Sequence, residues 1–566
     1  MSQTGVHQGC PLGPVGFALG IHSAIERVQT IPGLLWQTWY LDDGIIIGDC
    51  AAVTSAFHQL QTDLERQGLC INPAKCELWG PGAAYCTSLA DVRLVPWDPK
   101  NGITVLGVPI NFPGSSTQTS AAWDRATGSL QATLDKVTGL ADAQTAHHLL
   151  RKCLDACKVN HLLRASDTYA CEAQLHACDG AITGAFEDLV AHGLTVNQKA
   201  QASLPLSVGG CGVRTPTVIR PAARISALAT YYTRGRHSVG VPDQGMGVNS
   251  AWIAPVLGEL KDLLGASFDP LTGWSGQPDR LLTADTEHLQ QKWWSASLGR
   301  KAMTRLLDTS TPRDQARLLE QANSVGHAFM AVPPNANLHY TMPSDQYKTA
   351  LRWWLGVPLN APPDGGGGIT CPGCTAPVDA FGDHLLCCRR NNFVTRHMAV
   401  QDTLALLLQE GGQGVTKEVQ IPISGSALRP ADLLVANWSG GRDTAVDVTV
   451  CHAWQSGEQR TLGTTAQDTV SRERWRNFLK RKEADKHTKY DITCRTAGWS
   501  FMAMAFGTWG GTGPECAKLI HQISKRAASW QEGELRASKM EQARMAVGWS
   551  LMTKILEHLN NKNFLS

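Results

Sequence analysis

A short segment near the start of the chain shows the clearest alternation of apolar and polar runs. Residues 36–49, WQTWYLDDGIIIGD, contain two apolar runs that meet at Asp42 and Asp43, which predicts a β-hairpin with carboxylates at its tip. Apolar residues then recur at helical spacing as far as Gly68, namely Val53, Ala56, Phe57, Leu60 and Leu64. The predicted local order is strand, strand, helix.

Helical periodicity dominates the middle of the chain. From about residue 120 to 235, Ala/Leu-rich amphipathic stretches predict helices, interrupted by the Gly-rich turn LPLSVGGCGVR at 204–214. Residues 236–290 are rich in Gly, Pro and Ser, and helical patterns resume at QQKWWSASLGRKAMTRLLD and SDQYKTALRWWLG, which predicts a helical connector. The run APPDGGGG at 361–368 predicts a module boundary, because nothing in it can bury a core and its glycines are costly to order.

Strand patterns return in the last third of the chain. The apolar runs ADLLVANW and TAVDVTV flank the turn SGGRD, and they carry Asp432 and Asp447. If the two strands pair, both carboxylates lie at one end of a hairpin; the alternative is one exposed carboxylate on each strand. The segment that follows, SRERWRNFLKRKEADKHTKY at 471–490, predicts a helix. It contains eight Lys and Arg and three acidic residues, which gives a local charge of about +5.

Composition narrows the class of protein. The chain has 566 residues, 43% of them apolar and 18% charged, which excludes wholesale disorder and allows several domains. The net charge of +2 neither predicts nor forbids a polyanionic partner. No apolar stretch has the length of a membrane span or the form of a secretory signal, so we expect no membrane partner. The 17 Cys residues then predict free thiols and a metal site in a reducing compartment.

The densest cysteine group predicts a structural zinc site. In CPGCTAPVDAFGDHLLCC, a C-x-x-C pair is followed by a histidine and a cysteine at the spacing of a CCHC knuckle: Cys371, Cys374, His384 and Cys388. Cys387 is the alternative fourth ligand. Asp379 and Asp383 are expected in turn and outer-shell positions, because a thiolate site prefers sulfur and imidazole ligands.

The acidic hairpin tip is a second candidate metal site. Adjacent carboxylates repel each other unless a cation lies between them, and their hard oxygens suit Mg²⁺, although a solvated turn is the simpler explanation. Two flanking segments, GVHQGCPLGPVGFAL and GLCINPAKCEL, together with YLDD resemble the second half of the reverse transcriptase palm of non-LTR retrotransposons. The resemblance implies nucleotide and template contacts from Gln8, Gly9 and Lys75, and Mg²⁺-dependent nucleotide addition at Asp42 and Asp43.

This resemblance is incomplete. Two-metal phosphoryl transfer needs carboxylates from separate strands, and the family's other metal-binding Asp belongs to a motif upstream of the QG turn, where this sequence begins. We therefore expect no template-directed DNA synthesis from this chain by itself.

The C-terminal motifs resemble the restriction-like PD-(D/E)xK endonuclease of the same retrotransposons. In that family a CCHC knuckle, an Arg-His pair and an acidic motif occur in this order, matched here by Arg396-His397, Asp432 and Asp447. The resemblance implies that the two Asp hold Mg²⁺ for DNA nicking. Ala431 separates Pro430 from Asp432, and Thr449 stands where the family has its lysine.

A lysine from the basic segment can replace the missing one. In related nucleases the catalytic lysine lies on the helix after the core strands, a position that Lys486 and Lys489 match; we expect Lys489. Glu418, before the first strand, is a further candidate metal ligand. The excess positive charge favours phosphate contacts, which we assign to Arg396, His397, Arg472, Arg474, Arg476 and Lys482.

The sequence as a whole predicts an α+β multidomain fragment of a retrotransposon reverse transcriptase and endonuclease. Its expected partners are element RNA and target DNA, its cofactors Mg²⁺ and Zn²⁺, and its location, by resemblance, the nucleus. The alternative is a catalytically inactive nucleic-acid-binding remnant. The predicted parts are a partial palm at 1–110, a thumb-like helical region at 111–235, a helical connector at 236–364, a zinc knuckle at 365–400, an α/β restriction-like endonuclease core at 401–530 and a C-terminal helix at 531–566.

Overall fold

The structure, a computed structural model, is of mixed α+β type. It describes residues 9–98, 100, 102–111, 115–230, 253–265, 290–322, 325–359, 370–388, 390–391, 393–423, 429–454, 469–529 and 533–560. The boundary run at 361–368 and Gln8 lie outside these ranges.

The N-terminal part confirms the predicted strand, strand, helix order. Its main elements are α1 (Gly13–Gln29), β1 (Leu34–Tyr40), β2 (Asp43–Gly48) and α2 (Cys50–Glu65). The strands β1 and β2 pair antiparallel, with Tyr40 opposite Asp43 at the tip. The helix α2 begins where the Asp49 side chain accepts a hydrogen bond from the backbone N–H of Ala52. Its buried Ala56 and Leu60 pack with α1 and the hairpin in a small separate core.

Short strands and then helices follow. The strands are β3 (Glu77–Leu78), β4 (Arg93–Leu94), β5 (Ile103–Val105) and β6 (Val108–Ile110). The region predicted to be helical contains α3 (Thr117–Thr138), α4 (Ala143–Leu149), α5 (Asn160–Ala165), α6 (Glu172–Val190), α7 (Val196–Ser203) and α8 (Pro216–Thr230). The connector contains α9 (Ala254–Leu264), α10 (Gln291–Thr309), α11 (Pro312–Gln321), α12 (Ala328–Ala331) and α13 (Ser344–Trp354). None of the helices that the structure describes is long and apolar enough to cross a bilayer.

The last third of the chain forms a mixed sheet between helices. Its elements are α14 (Asp383–Cys387), α15 (Val394–Glu410), β7 (Val415–Val419), β8 (Ala431–Ser439), β9 (Arg442–Cys451), α16 (Thr469–Arg476), α17 (Phe478–Thr496), β10 (Ser500–Gly507), α18 (Pro514–Ala527) and α19 (Gly533–Asn560). The strand order is β10-β9-β8-β7, with β9 and β10 parallel and the other pairs antiparallel. The predicted turn between β8 and β9 is confirmed, because Gly440 and Gly441 both have the positive φ of a tight hairpin turn.

Two expectations differ from the structure. The predicted basic helix is two helices, because α16 ends at Arg476 and α17 begins at Phe478, with Trp475 and Phe478 buried on either side of the break. The cysteines expected to be thiols include one joined pair, Cys50 and Cys86, whose Cα atoms are 5.6 Å apart.

One hydrophobic core extends across most of the predicted modules. Buried residues from the helices after α2, the connector, the sheet, α19 and the segment 370–388 that carries the predicted zinc ligands (the zinc segment) belong to one continuous cluster. Its members are as distant in sequence as Trp123, Phe329, Leu386, Met504 and Leu559. The zinc segment is therefore packed into the core of the chain. A segment this short has little apolar surface to bury by itself, which explains why it shares the core of its neighbours.

Candidate functional site

The four predicted zinc ligands are brought together. The ligand atoms of Cys371, Cys374, His384 and Cys388 all lie within 4.8 Å of one another, and Cys374 Sγ is 3.1 Å from His384 Nε2. This group of three sulfurs and one imidazole is compatible with zinc. Cys387, the alternative ligand, is not part of the group: burial raises the pKa of its thiol to about 11.

The surroundings of Cys371 favour its thiolate form. Burial raises the pKa of the Cys371 thiol, but backbone hydrogen bonds from Gly373 and Cys374, together with side-chain hydrogen bonds involving Cys374 and Cys388, lower it to about 6. A thiolate is the form that ligates metal. Asp379, predicted in a turn position, accepts a hydrogen bond from the His384 backbone N–H at 2.9 Å, which fixes the start of α14.

A buried ion pair connects the zinc segment to the rest of the protein. Asp383, next to the ligand His384, accepts hydrogen bonds from Nε and Nη2 of Arg313 on α11, the second at 2.9 Å. His452, just after β9, places Nε2 3.4 Å from the same carboxylate. Burial raises the pKa of Asp383, but these two partners lower it well below its usual range. The Asp383 carboxylate is therefore ionised, and it connects α14 with α11 and with the end of β9.

The sheet places Asp432 and Asp447 directly opposite each other. The antiparallel register pairs Leu433 with Val446, so Asp432 on β8 lies opposite Asp447 on β9. The Asp432 carboxylate accepts a hydrogen bond from the Val448 backbone N–H at 2.6 Å. Of the two possibilities left open by the sequence, the structure has the paired arrangement.

Lys486 of α17 completes this pair. Its Nζ lies 2.8 Å from Asp447 Oδ2, and the Asp447 residue is only 4% exposed. Burial raises the pKa of Asp447 although Lys486 lowers it, and the carboxylates of Asp447 and Asp432 together raise the pKa of Lys486 despite its burial. Lys489, the lysine we expected, is exposed, with Nζ 4.6 Å from the ring centroid of Tyr490.

A third carboxylate and an imidazole lie beside the Asp pair. The register pairs Lys417 with Leu433 and Val419 with Ala431, so Glu418 on β7 faces Asp432 on β8. Ligand atoms of His397, Glu418 and Asp432 all lie within 4.8 Å of one another. Hydrogen bonding to Asp432 raises the pKa of His397, while burial lowers it.

Gln401, which no motif in the sequence indicated, contacts this group. Its amide Nε2 donates to Glu418 Oε1 at 2.9 Å and to the Asp432 backbone carbonyl at 2.7 Å. The available signal was spacing, because Gln401 follows His397 by four residues on α15 and so lies on the same helix face.

Two of the predicted nucleic-acid contacts have other partners. Arg396 is 4% exposed and donates to the backbone carbonyls of Leu386 and Val450, so it links the zinc segment to β9 and is not available to a phosphate. Arg472 donates to the carboxylate of Asp308 at 2.8 Å. These placements correct both expectations, since an arginine that is committed to protein acceptors is a poor phosphate ligand.

Three of the other predicted contacts, Arg474, Arg476 and Lys482, lie on the segment 469–496 at varying depth. Arg476 is exposed and Arg474 is half-buried. Lys482 is half-buried, with Nζ 5.3 Å from the ring centroid of Phe478. The structure therefore leaves Arg476 as the most accessible arginine of the predicted set.

Of the five residues assigned to the polymerase-like motifs, the structure describes all except Gln8. Asp42 and Asp43 are exposed at the hairpin tip, Gly9 has φ +92°, and Lys75 ends a short helical turn after α2. Within the described residues there are two groups of three or more metal-compatible side chains, and neither includes Asp42 or Asp43.

No model of a known protein family matches the chain, and no curated protein matches it. The arrangement of side chains described above is therefore what supports a function.

Proposed function

We propose that this protein derives from a retrotransposon that encodes a reverse transcriptase and endonuclease, and that its C-terminal sheet nicks DNA with Mg²⁺. The observation that carries the proposal is the juxtaposition of Asp432, Asp447 and Lys486. Two carboxylates from adjacent strands and one ammonium group meet at one place, although 54 positions separate the first of these residues from the last.

The donor set fits the proposed cation. Asp432 and Asp447 offer hard carboxylate oxygens from two rigid strands, which is the ligand type that Mg²⁺ prefers. Bound Mg²⁺ would stabilise negative charge on the phosphate that is cut. Lys486 holds Asp447 in place and can hydrogen-bond a phosphate oxygen or the attacking water. It supplies from α17 the positive charge that Thr449 does not supply from β9.

The zinc segment and the basic segment support a nucleic-acid role for the same region. The zinc ligand His384 lies on α14 and Cys388 follows it directly; the Leu386 carbonyl of the same helix accepts a hydrogen bond from Arg396, and His397 follows Arg396 on α15. Arg396 thus connects the helix that carries His384 with β9, the strand that carries Asp447. We propose target DNA as the substrate, element RNA as the second partner and the nucleus as the location.

The palm-like hairpin has a more limited role in this proposal. Two-metal polymerisation requires carboxylates from more than one strand, and among the described residues Asp42 and Asp43 have no third metal-compatible side chain beside them. We therefore expect the chain by itself to incorporate no nucleotides on a primed RNA template with Mg²⁺. Incorporation that disappears in the variant carrying both Asp42→Asn and Asp43→Asn would contradict this part.

The nuclease is tested by nicking of supercoiled plasmid with the full chain. We expect Asp432→Asn, Asp447→Asn and Lys486→Met each to lower the nicking rate about 100-fold or more, the usual scale for such groups. Lys489→Met is the matched control, because it removes a lysine one turn further along α17, and it should nick within about twofold of the parent.

Duplex binding, measured by fluorescence anisotropy, separates catalysis from binding in the same variants. We expect all four to bind DNA with nearly the parental affinity, since the losses concern chemistry. A parent that binds duplex and zinc but never nicks would favour the inactive nucleic-acid-binding remnant. Equal losses in Lys486→Met and Lys489→Met would contradict the assignment of Lys486.

A further inference from the structure

Two side chains of α17 hold the start of α18. The carboxylate of Glu483 accepts hydrogen bonds from the backbone N–H groups of Glu515 and Cys516, at 3.1 and 2.8 Å. These N–H groups belong to the first turn of α18, where they have no acceptor within their own helix. Glu483 is only 3% exposed, so the contact lies inside the protein. Its carboxylate also suits the partial positive charge at the N-terminus of a helix.

His487, one turn after Glu483, makes a second contact with α18. Its Nε2 lies 2.6 Å from Glu515 Oε2, and its Nδ1 lies 2.9 Å from Asp491 Oδ1 on α17. The ring also packs against Phe501 of β10, with 5.2 Å between the ring centroids. Burial lowers the pKa of His487, but the two carboxylates raise it above its usual value, which favours an imidazolium between them. Hydrogen bonds and charge therefore both join α17 to α18 here.

The Gly-rich loop before α18 leaves room for the Glu483 contact. A Cβ atom at Gly513 would overlap the Glu483 carboxylate, so no larger residue fits there without a shift. The loop follows β10, where Ala503 lies opposite Asp447 of β9 in the parallel register. The start of α18 is therefore connected by a short loop to the strand next to the one that carries Asp447.

The two contacts lie on either side of Lys486 in the sequence. Glu483 precedes Lys486 by three residues, and His487 follows it directly. Each residue of an α-helix advances about 1.5 Å and turns about 100°, so fixing α17 at these two positions also fixes the backbone of Lys486. From that backbone position Lys486 Nζ reaches Asp447 Oδ2 at 2.8 Å.

We propose that Glu483 and His487 are positioning residues of the nuclease site: by fixing α17 to the start of α18, they hold the Lys486 ammonium against Asp447. The inference rests on the proposed function for the use of Lys486 in nicking. The positioning itself concerns only the contact between Lys486 and Asp447, and it can be measured without nicking.

That contact is measured by the pKa of Lys486 in the full chain, reductively methylated with isotopically labelled formaldehyde and titrated by NMR. The resonance of Lys486 is the one that disappears in Lys486→Arg. Burial lowers the pKa of Lys486, but Asp447 raises it above its usual value. We expect Glu483→Gln and His487→Gln each to lower this pKa, because an α17 that shifts separates the ammonium from the carboxylate.

Nicking of supercoiled plasmid tests whether the positioning acts through Lys486. Glu483→Gln and His487→Gln should each lower the nicking rate about 10- to 100-fold, the scale of misplacing a reacting group by about 1 Å. Duplex affinity should stay nearly parental. In the Lys486→Met background neither substitution should lower the rate further, because side chains that act through one group are not additive. A general loss of structure would lower the rate in both backgrounds.

Asp485→Asn is the matched control. It removes a neighbouring carboxylate of α17 that is 70% exposed and lies 4.0 Å from Lys482 of the same helix. It should leave the pKa of Lys486 and the nicking rate nearly unchanged. Circular dichroism establishes that each variant is folded, and His487→Gln, at a half-buried position, carries the test if Glu483→Gln does not fold.

The two measurements distinguish this inference from the proposed function. A parental pKa of Lys486 in the folded variants would overturn the positioning role, whatever the nicking rate. If the parent does not nick yet the variants lower this pKa, the nuclease is refuted and the positioning stands. If the parent nicks and the variants lose as much rate in the Lys486→Met background, the nuclease stands and positioning through Lys486 is refuted.

Discussion

Replacing Asp383 with Asn should destabilise the protein far more than an ordinary charge change. The Asp383 carboxylate accepts hydrogen bonds from Nε and Nη2 of Arg313 and lies 3.4 Å from His452 Nε2. Asn has nearly the same volume, so the substitution leaves no cavity. What it leaves is a guanidinium inside the core, because Arg313 is only 7% exposed and its other carboxylate partner, Asp314, is more distant, at 3.5 Å from Nη1.

The magnitude follows from this burial. Removing one partner of a buried ion pair costs about 3–5 kcal/mol, since the other charge stays desolvated without compensation. A folded domain is stable by about 5–15 kcal/mol, so the loss is a large share of the total. Replacing both partners, as Arg313→Met with Asp383→Leu, removes the isolated charge, and we expect the double variant to regain most of the loss.

Urea unfolding of the full chain, followed by tryptophan fluorescence and circular dichroism, measures these free energies of unfolding. If fluorescence and circular dichroism show the same unfolding transition, unfolding is two-state and the free energies of the variants can be compared. Asp485→Asn is the control: Asp485 is 70% exposed and 4.0 Å from Lys482, so its loss should cost less than about 1 kcal/mol. A cost below about 1 kcal/mol for Asp383→Asn, or a double variant less stable than the single one, would refute the reasoning.

The same pair predicts a dependence on acid. The pKa of Asp383 is lowered in the folded protein, so its contribution is complete above the ordinary Asp value of 3.8 and is lost as the pH falls below that value. The free energy of unfolding of the parent should therefore fall more steeply below about pH 4 than that of Asp383→Asn.

Three further predictions concern other sites. Elemental analysis of the full chain should find about one zinc, lost in Cys371→Ser and retained in the neighbouring Cys387→Ser; retention in both would remove the assigned ligand. Burial raises the pKa of Glu320 from 4.5 to about 8, so its contribution to the free energy of unfolding should be lost as the pH rises through that interval. Glu320→Gln should abolish this decline, as followed by thermal unfolding at several pH values. Arg476→Ala should lower duplex affinity and reduce the slope of log affinity against log salt by about one, whereas Arg472→Ala should change it little; the reverse order would contradict the placement of these arginines.

Local patterns in the sequence were enough to predict several elements. The hairpin with Asp42 at its tip, the helix after it and the Gly440–Gly441 turn all depend on residues close together in the chain, where periodicity and turn chemistry act directly. The four zinc ligands could be predicted for the same reason: all of them lie within 18 consecutive positions. The pairing of Asp432 with Asp447 needed only that one short turn join their strands.

Other parts of the site were decided by packing between distant elements. The sequence motif favoured Lys489 over Lys486, and both lysines lie on a helix that carries many basic residues. Lys486 and Lys489 are three residues apart on α17, so their side chains differ by only about 60° around the helix axis and about 4.5 Å along it. Which lysine reaches Asp447 depends on the position and rotation of α17 against the sheet. Nothing in the local pattern fixes that rotation.

Burial of charged residues was likewise a tertiary outcome. Arg396 and Arg313 resemble surface cations in the sequence, yet one core encloses both. Their acceptors include a backbone carbonyl 54 residues away for Arg396 and a carboxylate 70 residues away for Arg313. The sequence by itself determined the kinds of side chain and the short elements that carry them. Only the folded chain decided which charges face each other, because a buried charge is tolerated where a distant partner compensates its lost hydration.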